Sequence, residues 1–164
     1  MTLHVTLAAY AGRVLEVCAE RGSTLAVAET DTGGLLLEAL TARPGSSAVV
    51  LGGVVPYHDR LKQSLLGIEP GLLERHGAVS AEVARAMATA VRRLSGASLG
   101  LATTGIAGPG GATDRKPVGL AYVAAASASE VLVREHRWRG ERQANRRSSA
   151  RAALELALEM IEKW

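Results

Sequence analysis

The sequence predicts an α/β fold, with a sheet covered by helices on both faces and antiparallel at one end. Three observations carry this. The apolar runs that read as strands are short and hydrophobic on successive residues, as in strands buried on both faces. Helical patterns separate the early runs, the order expected of parallel crossover units. The last two runs, 120–126 and 130–138, follow one another across Ser127-Ala128-Ser129, which reads as a hairpin turn. At 164 residues and 48% hydrophobic, the chain is expected to form one domain, 1–164, that buries its own core.

Each element has a local reason. Leu7, Ala11, Val14, Leu15 and Cys18 recur at helical spacing over 6–21, and Gly22 supplies a stop. Thr24 to Glu29 is a short apolar run and reads as a buried strand. Gly33-Gly34 opens a helix that Pro44-Gly45 ends. Ser46 to Val55 is apolar and rich in β-branched residues, a second strand broken or bulged at Gly52-Gly53. Residues 58–76 make one or two short helices, with Pro70 at a helix start. Ser80 caps a helix whose stripe is Val83, Met87, Ala90, Val91 and Leu94. Leu99 to Thr103 is a strand, and a Gly/Pro-rich loop from Gly105 to Gly119 follows it. A long helix over about 140–163 closes the chain.

Composition excludes several functions. The formal charge is +3 and the pI about 9.4, too small an excess to imply nucleic acid unless concentrated. There is no Phe, and aromatics make up 3%, so stacking platforms for single strands are missing. One cysteine, Cys18, excludes an intrachain disulfide, and with four scattered histidines it argues against a metal site. No apolar stretch approaches the ~18 residues of a membrane span, and no signal-peptide layout opens the chain. A cytoplasmic protein needing no cofactor is expected. The chain uses Arg sixteen times and Lys three times, so a well-placed lysine is informative.

Three features suggest chemistry. Ala28 to Gly34 and Thr103 to Gly111 leave strands where ligands gather in open α/β sheets, and their glycines let backbone approach a ligand. Neither is a P-loop or a GxGxxG fingerprint, and either could be a plain tight turn. Lys62 follows Tyr57 by five residues. A desolvated lysine can lose its proton and act as a base, which arginine cannot, although a solvated helix lysine is the blander reading. The hydroxyls at the strand end are Thr30 and Thr32. On the last helix, stepping back by four from Ala150 gives Arg146 and Arg142, which extend the buried stripe toward a sheet edge. Such a pair suits a phosphate or carboxylate, or else salt bridges to Glu141 or a neighbouring helix. Among the histidines, His4 and His76 read as surface residues and His136 as packed within a strand. His58, beside Tyr57 and Asp59, is a possible acid or base.

Taken together and in order, AETDTGG, LGGVVPY with Lys62, HGAVS, TTGIAGPGG, KPVG and the GER…R start of the last helix resemble the CinA C-terminal domain family. Its members are nicotinamide-nucleotide amidases, also described as competence/damage-inducible proteins, and the likeness spans about residues 8–162. The resemblance implies a three-layer α/β/α sandwich with a mixed, mostly parallel sheet of about five or six strands. It implies hydrolysis of the carboxamide of nicotinamide mononucleotide without a metal, and the absence of the N-terminal domain many members carry points to a stand-alone form. The family's serine nucleophile falls on Thr30, its lysine on Lys62 and the associated tyrosine on Tyr57. Substrate contacts fall on Thr32, Gly33, Gly34, Thr104, Gly105, Ala107 and Gly108, with Arg142 and Arg146 near the 5′-phosphate. Self-association is expected as well.

The departures bear on the chemistry. Thr30 replaces the serine, and its β-methyl restricts χ1 and crowds the attacking oxygen. Asp31 stands where the family has a small or neutral residue, and its charge is expected beside the nucleophile. His58-Asp59 replaces the common Ser-Asn. An amidase is therefore one expectation. A nucleotide-binding or regulatory relative without turnover is a second, and an altered hydrolysis supported by His58 and Asp59 is a third. Seven arginines between Arg134 and Arg151 leave nucleic-acid binding as an outside alternative.

Overall fold

A computed structural model describes residues 6–164, so His4 lies outside the described residues. Thr6 caps α1 (Leu7–Glu20), its hydroxyl accepting from the Ala9 amide at 3.2 Å. Then come β1 (Leu25–Glu29), α2 (Leu35–Thr41), a 3₁₀ turn (Ser46–Ala48) and β2 (Val50–Val54). The helices α3 (Asp59–Leu66), α4 (Pro70–His76) and α5 (Ala81–Ser95) lead to β3 (Leu99–Gly105), β4 (Leu120–Ala126), β5 (Val131–Arg137) and α6 (Arg142–Ile161).

The sheet order is β2-β1-β3-β4-β5. β2, β1 and β3 are parallel, β4 runs against β3, and β5 runs against β4, so only β4 opposes the common direction. The mixed, mostly parallel sheet of five strands and the six helices are those expected of a three-layer sandwich. Strand parity splits the core. Leu25 and Val27 of β1 and Leu99 and Leu101 of β3 pack under α1, α2 and α6, whereas Ala26, Ala28 and Ala102 pack under α3, α4 and α5. Alternate residues of a strand face opposite sides, so these central strands need apolar residues throughout.

The second strand is shorter than its apolar run predicts. Ser46–Ala48 forms a 3₁₀ turn after Gly45, whose φ is +83°, and short serine side chains favour such turns. The bulge lies one residue before the glycine pair: Leu25 pairs with Val50 and Ala26 with Gly52, which leaves Leu51 as the extra residue. Gly53 allows close approach, since a Cβ there would lie 2.5 Å from the Val27 methyl.

Candidate functional site at the carboxyl ends of β1 and β3

The continuation of strand parity past β1 decides what meets what. Thr30 falls on the α5 side, with Ala26 and Ala28. Its amide donates to the Thr103 carbonyl at 3.0 Å, holding the chain extended beside β3. The buried hydroxyl has one hydrogen-bond partner among the described residues, Met87 Sδ of α5, at 4.0 Å. A thioether is a weak acceptor, so this hydroxyl is free to engage a better one.

Lys62 lies on α3, one turn before Leu66, and Leu66 shares a core cluster with Ala28 and Met87. The N-terminus of α3 stands at the carboxyl end of β2, the end of the sheet where β1 delivers Thr30. Lys62 and Thr30 therefore belong to elements that border the same α5-side core. Lys62 is 1% exposed, which replaces the solvated-lysine reading. Its only hydrogen-bond partner among the described residues is Asp59 Oδ1, at 3.3 Å. An ammonium carries three donors.

The opposite face holds a different polar group. The buried Glu29 carboxylate accepts from Thr32 Oγ1 at 2.5 Å and from the amides of Gly34, Leu36 and Leu37 at 3.1, 3.0 and 2.7 Å. A strand carboxylate thereby satisfies the free amides at the start of α2. Thr32 is fully buried and also shares a hydrogen bond with Thr103 Oγ1, at 2.8 Å. It is a strut of this network and presents nothing to a ligand.

Asp31 corrects an expectation. Its charge does not lie beside Thr30, because it follows Glu29 onto the α6 side, where Ser149 and Thr103 flank it. It is 6% exposed, and its Oδ1 has no hydrogen-bond partner among the described residues. Burial pushes its carboxyl above the usual carboxylate range, against the opposing pull of hydrogen bonds from Ser149 and Thr103. Gly105 makes room for it, since a Cβ there would lie 2.8 Å from Asp31 Oδ2. The close approach at Gly105 is taken by this side chain.

The arginines of α6 also have partners within the chain. Arg146 donates from Nε to the Asp31 carbonyl at 3.2 Å and from Nη2 to the Thr32 carbonyl at 2.7 Å. Arg142 donates to the Gly108 carbonyl at 2.8 Å and to Tyr57 Oη at 3.3 Å. Neither makes the salt bridge considered from the sequence. Buried Asn145 adds a bond to the Ala107 carbonyl at 3.0 Å. The start of α6 thus staples the loops after β1 and β3, and the Ala107 and Gly108 carbonyls are occupied by it.

The remaining candidates divide clearly. Tyr57 is 59% exposed, with its hydroxyl on Arg142 at the mouth of the site. His58 is the N-cap of α3, and its Nδ1 accepts from the Arg60 amide at 3.1 Å. That role accounts for it without acid–base chemistry. Thr104 is buried and donates to the Ala78 carbonyl at 2.8 Å, so it ties the α4–α5 turn to the sheet. Gly33 and Gly34 have φ of +60° and +99°, the backbone that turns the chain from Thr32 into α2. His136 stacks on Trp138 with centroids 4.5 Å apart, as a packed strand residue should.

Glu29, Met87, Asn145 and Ser149 belong to the site and were not singled out from the sequence. Glu29 reads as the last residue of a strand, and only its position three residues before Thr32 hinted at a cap. Among the described residues no cluster of three or more His, Cys, Asp or Glu could hold a metal, and no helix is long and apolar enough to cross a membrane.

The fold and site define an α/β protein with a buried hydroxyl at the carboxyl end of β1 and a buried lysine on α3. The model of the CinA C-terminal domain matches residues 7–161, and the chain belongs to that family. It is 48% identical over 136 residues to a CinA-like protein of Acidobacterium capsulatum, covering 83% of this chain and 33% of that one. A CinA-like protein of Thermosynechococcus vestitus is 51% identical over 138 residues, covering 84% and 32%. The chain spans about a third of the length of these curated relatives. Among solved structures, the competence/damage-inducible protein CihA of Agrobacterium tumefaciens superposes with a TM-score of 0.91 at 38% identity, covering 95% of both chains. A CinA superfamily protein of Klebsiella pneumoniae superposes at 0.93 with 30% identity, covering 97% and 99%.

Proposed function

We propose that the protein hydrolyses the carboxamide of nicotinamide mononucleotide, giving nicotinate mononucleotide and ammonia, with Thr30 in the role of the family's serine. The observation that supports this reading is that both groups are buried: Lys62 is 1% exposed, and the Thr30 hydroxyl has only a thioether partner among the described residues. Burying an ammonium is costly unless it is paired and hydrogen-bonded, and Lys62 has one acceptor among the described residues.

In this reading Thr30 Oγ1 attacks the carboxamide carbon while Lys62 takes the hydroxyl proton. The C–N bond then breaks, the proton passes to the departing nitrogen with Tyr57 as relay, and ammonia leaves. The remaining acyl ester on Thr30 is hydrolysed by water, with Lys62 accepting the water's proton and returning it to Thr30 Oγ1 as the acid leaves. Arg142 sits at the mouth beside Tyr57 and suits the 5′-phosphate, since guanidinium pairs with such groups through two hydrogen bonds. Arg146 holds the Asp31–Thr32 backbone so that Thr30 faces α5. Asp31 points away from this chemistry and does not oppose it by charge.

The test is ammonia release from nicotinamide mononucleotide by the wild type and by Thr30→Ala and Lys62→Met. The expected result is turnover in the wild type and a loss of about 10²–10⁴-fold in each variant. Undiminished release in both variants would reject the assignment. The Thr30 β-methyl favours a second reading, a relative that binds the nucleotide without turning it over. That reading predicts saturable binding by calorimetry and no ammonia.

A further inference from the structure

Lys116 lies in the glycine-rich loop 106–119, yet it is itself half-buried. Its ammonium donates to the His76 carbonyl and, at 2.7 Å, to the Val79 carbonyl, both in the turn between α4 and α5. Thr104 takes the Ala78 carbonyl at 2.8 Å, and Ser80 Oγ takes that of Gly77 at 2.9 Å. Every carbonyl from His76 to Val79 is therefore held by a side chain. The loop is anchored at its base as well. Ile106 N donates to the Leu120 carbonyl at 2.9 Å and Gly119 N to the Ile106 carbonyl at 2.8 Å.

The geometry explains why a lysine stands here in an arginine-rich chain. An ammonium projects three donors from one point onto converging carbonyls, whereas a planar guanidinium spreads its donors over a wider fork. The neighbouring glycine fits the same account. Gly77 has φ +72°, and a Cβ there would lie 2.8 Å from Lys116 Nζ. The clamped turn runs directly into Ser80, the N-cap of α5, whose hydroxyl accepts from the Val83 amide at 3.3 Å. Two turns further along α5 is Met87, the residue against which the Thr30 hydroxyl rests.

We propose that Lys116 is a positioning residue of the Thr30 site: its ammonium locks loop 106–119 and turn 76–79 into one wall and thereby sets the N-terminal half of α5 against the Thr30 hydroxyl. Its effect on rate rests on the amidase reading, but the clamp itself does not.

The test uses the full chain as wild type, Lys116→Met, Lys116→Arg and Gly77→Ala. Hydrogen exchange followed by mass spectrometry is measured beside steady-state ammonia release from nicotinamide mononucleotide. In Lys116→Met, exchange is expected to quicken about tenfold together in 76–80, 81–88 and 106–119, with α1 and β5 unchanged. At a temperature where circular dichroism shows the fold intact, kcat should fall about ten- to a hundredfold with KM little changed, the penalty of a misplaced reacting group. Lys116→Arg should fail to rescue, and Gly77→Ala should reproduce the pattern with the lysine still present. Unchanged protection of 81–88 in Lys116→Met overturns the proposal whether or not the wild type turns over. Loosened segments with wild-type kcat overturn it too. A wild type that releases no ammonia refutes the amidase reading alone, since the exchange result still decides the clamp.

Discussion

Thr30 and Asp31 are adjacent in the chain and leave β1 on opposite faces of the sheet. The Thr30 hydroxyl meets Met87 of α5, and the Asp31 carboxyl sits on the α6 side with Ser149 and Thr103 beside it. These two neighbours are thus separated by the sheet itself. In the proposed reading Thr30 is the attacking group, and Asp31 lies on the far side of the sheet from it.

Asp31 should limit stability in a pH-dependent way. Its folded-state ionisation is raised by burial, so its contribution is fully present below the unfolded carboxylate range, near pH ~3.9, and is lost as pH rises through the folded value. Asp31→Asn removes the ionisation. The variant should melt a few degrees higher than wild type at pH 7, about 2–4 °C per kcal/mol gained. The gain should vanish near pH 3.5. A variant no more stable at pH 7 than at pH 3.5, relative to wild type, would contradict this.

Glu29 should matter far more to folding than its place at a strand end suggests. Glu29→Ala leaves Thr32 Oγ1 and three amides of the α2 start without their acceptor. Unsatisfied buried donors cost about 1–3 kcal/mol each at most, and partial rehydration of the helix start reduces the sum. A loss of about 3 kcal/mol in urea unfolding is expected. Glu38→Ala, on the exposed side of α2, should change little.

Lys62 should separate function from stability. Lys62 has one partner among the described residues, the half-exposed Asp59, so removing its ammonium leaves no buried charge unpaired. Lys62→Met is therefore expected to melt at or above the wild-type temperature while losing its turnover. A Tm that falls by many degrees would mean that the lysine is a structural group.

His136 stacks on Trp138, and burial lowers its ionisation below the ordinary imidazole range. A group depressed in this way contributes stability above its unfolded value, and that stability is lost as pH falls through it. An NMR titration should place the His136 midpoint below the ordinary imidazole value, and a midpoint at or above it would contradict this.

Much of this architecture is legible in the residues. Uninterrupted apolar runs marked β1 and β3 as buried on both sides, and the four-residue step back from Ala150 put Arg146 and Arg142 at the edge of the core. Lys62 stood out because the chain otherwise favours arginine. Other features depend on contacts between distant segments, which spacing along one chain does not encode. Nothing local indicates that Arg146 meets the carbonyls of Asp31 and Thr32, over a hundred residues away, rather than an acid or a phosphate. The face taken by Asp31 follows from strand parity, but only if the chain stays extended past Glu29, and the Thr30 amide bond to Thr103 is what keeps it so. The family resemblance implies a substrate contact at Thr104, and nothing local indicates that its buried hydroxyl meets the Ala78 carbonyl.

The most direct measurement is ammonia release from nicotinamide mononucleotide by the wild type and Thr30→Ser side by side. With Thr30 as the attacking group and Lys62 intact, both should turn over, the serine variant faster because it lacks the crowding methyl. Silence in both, with the fold preserved, would contradict the account.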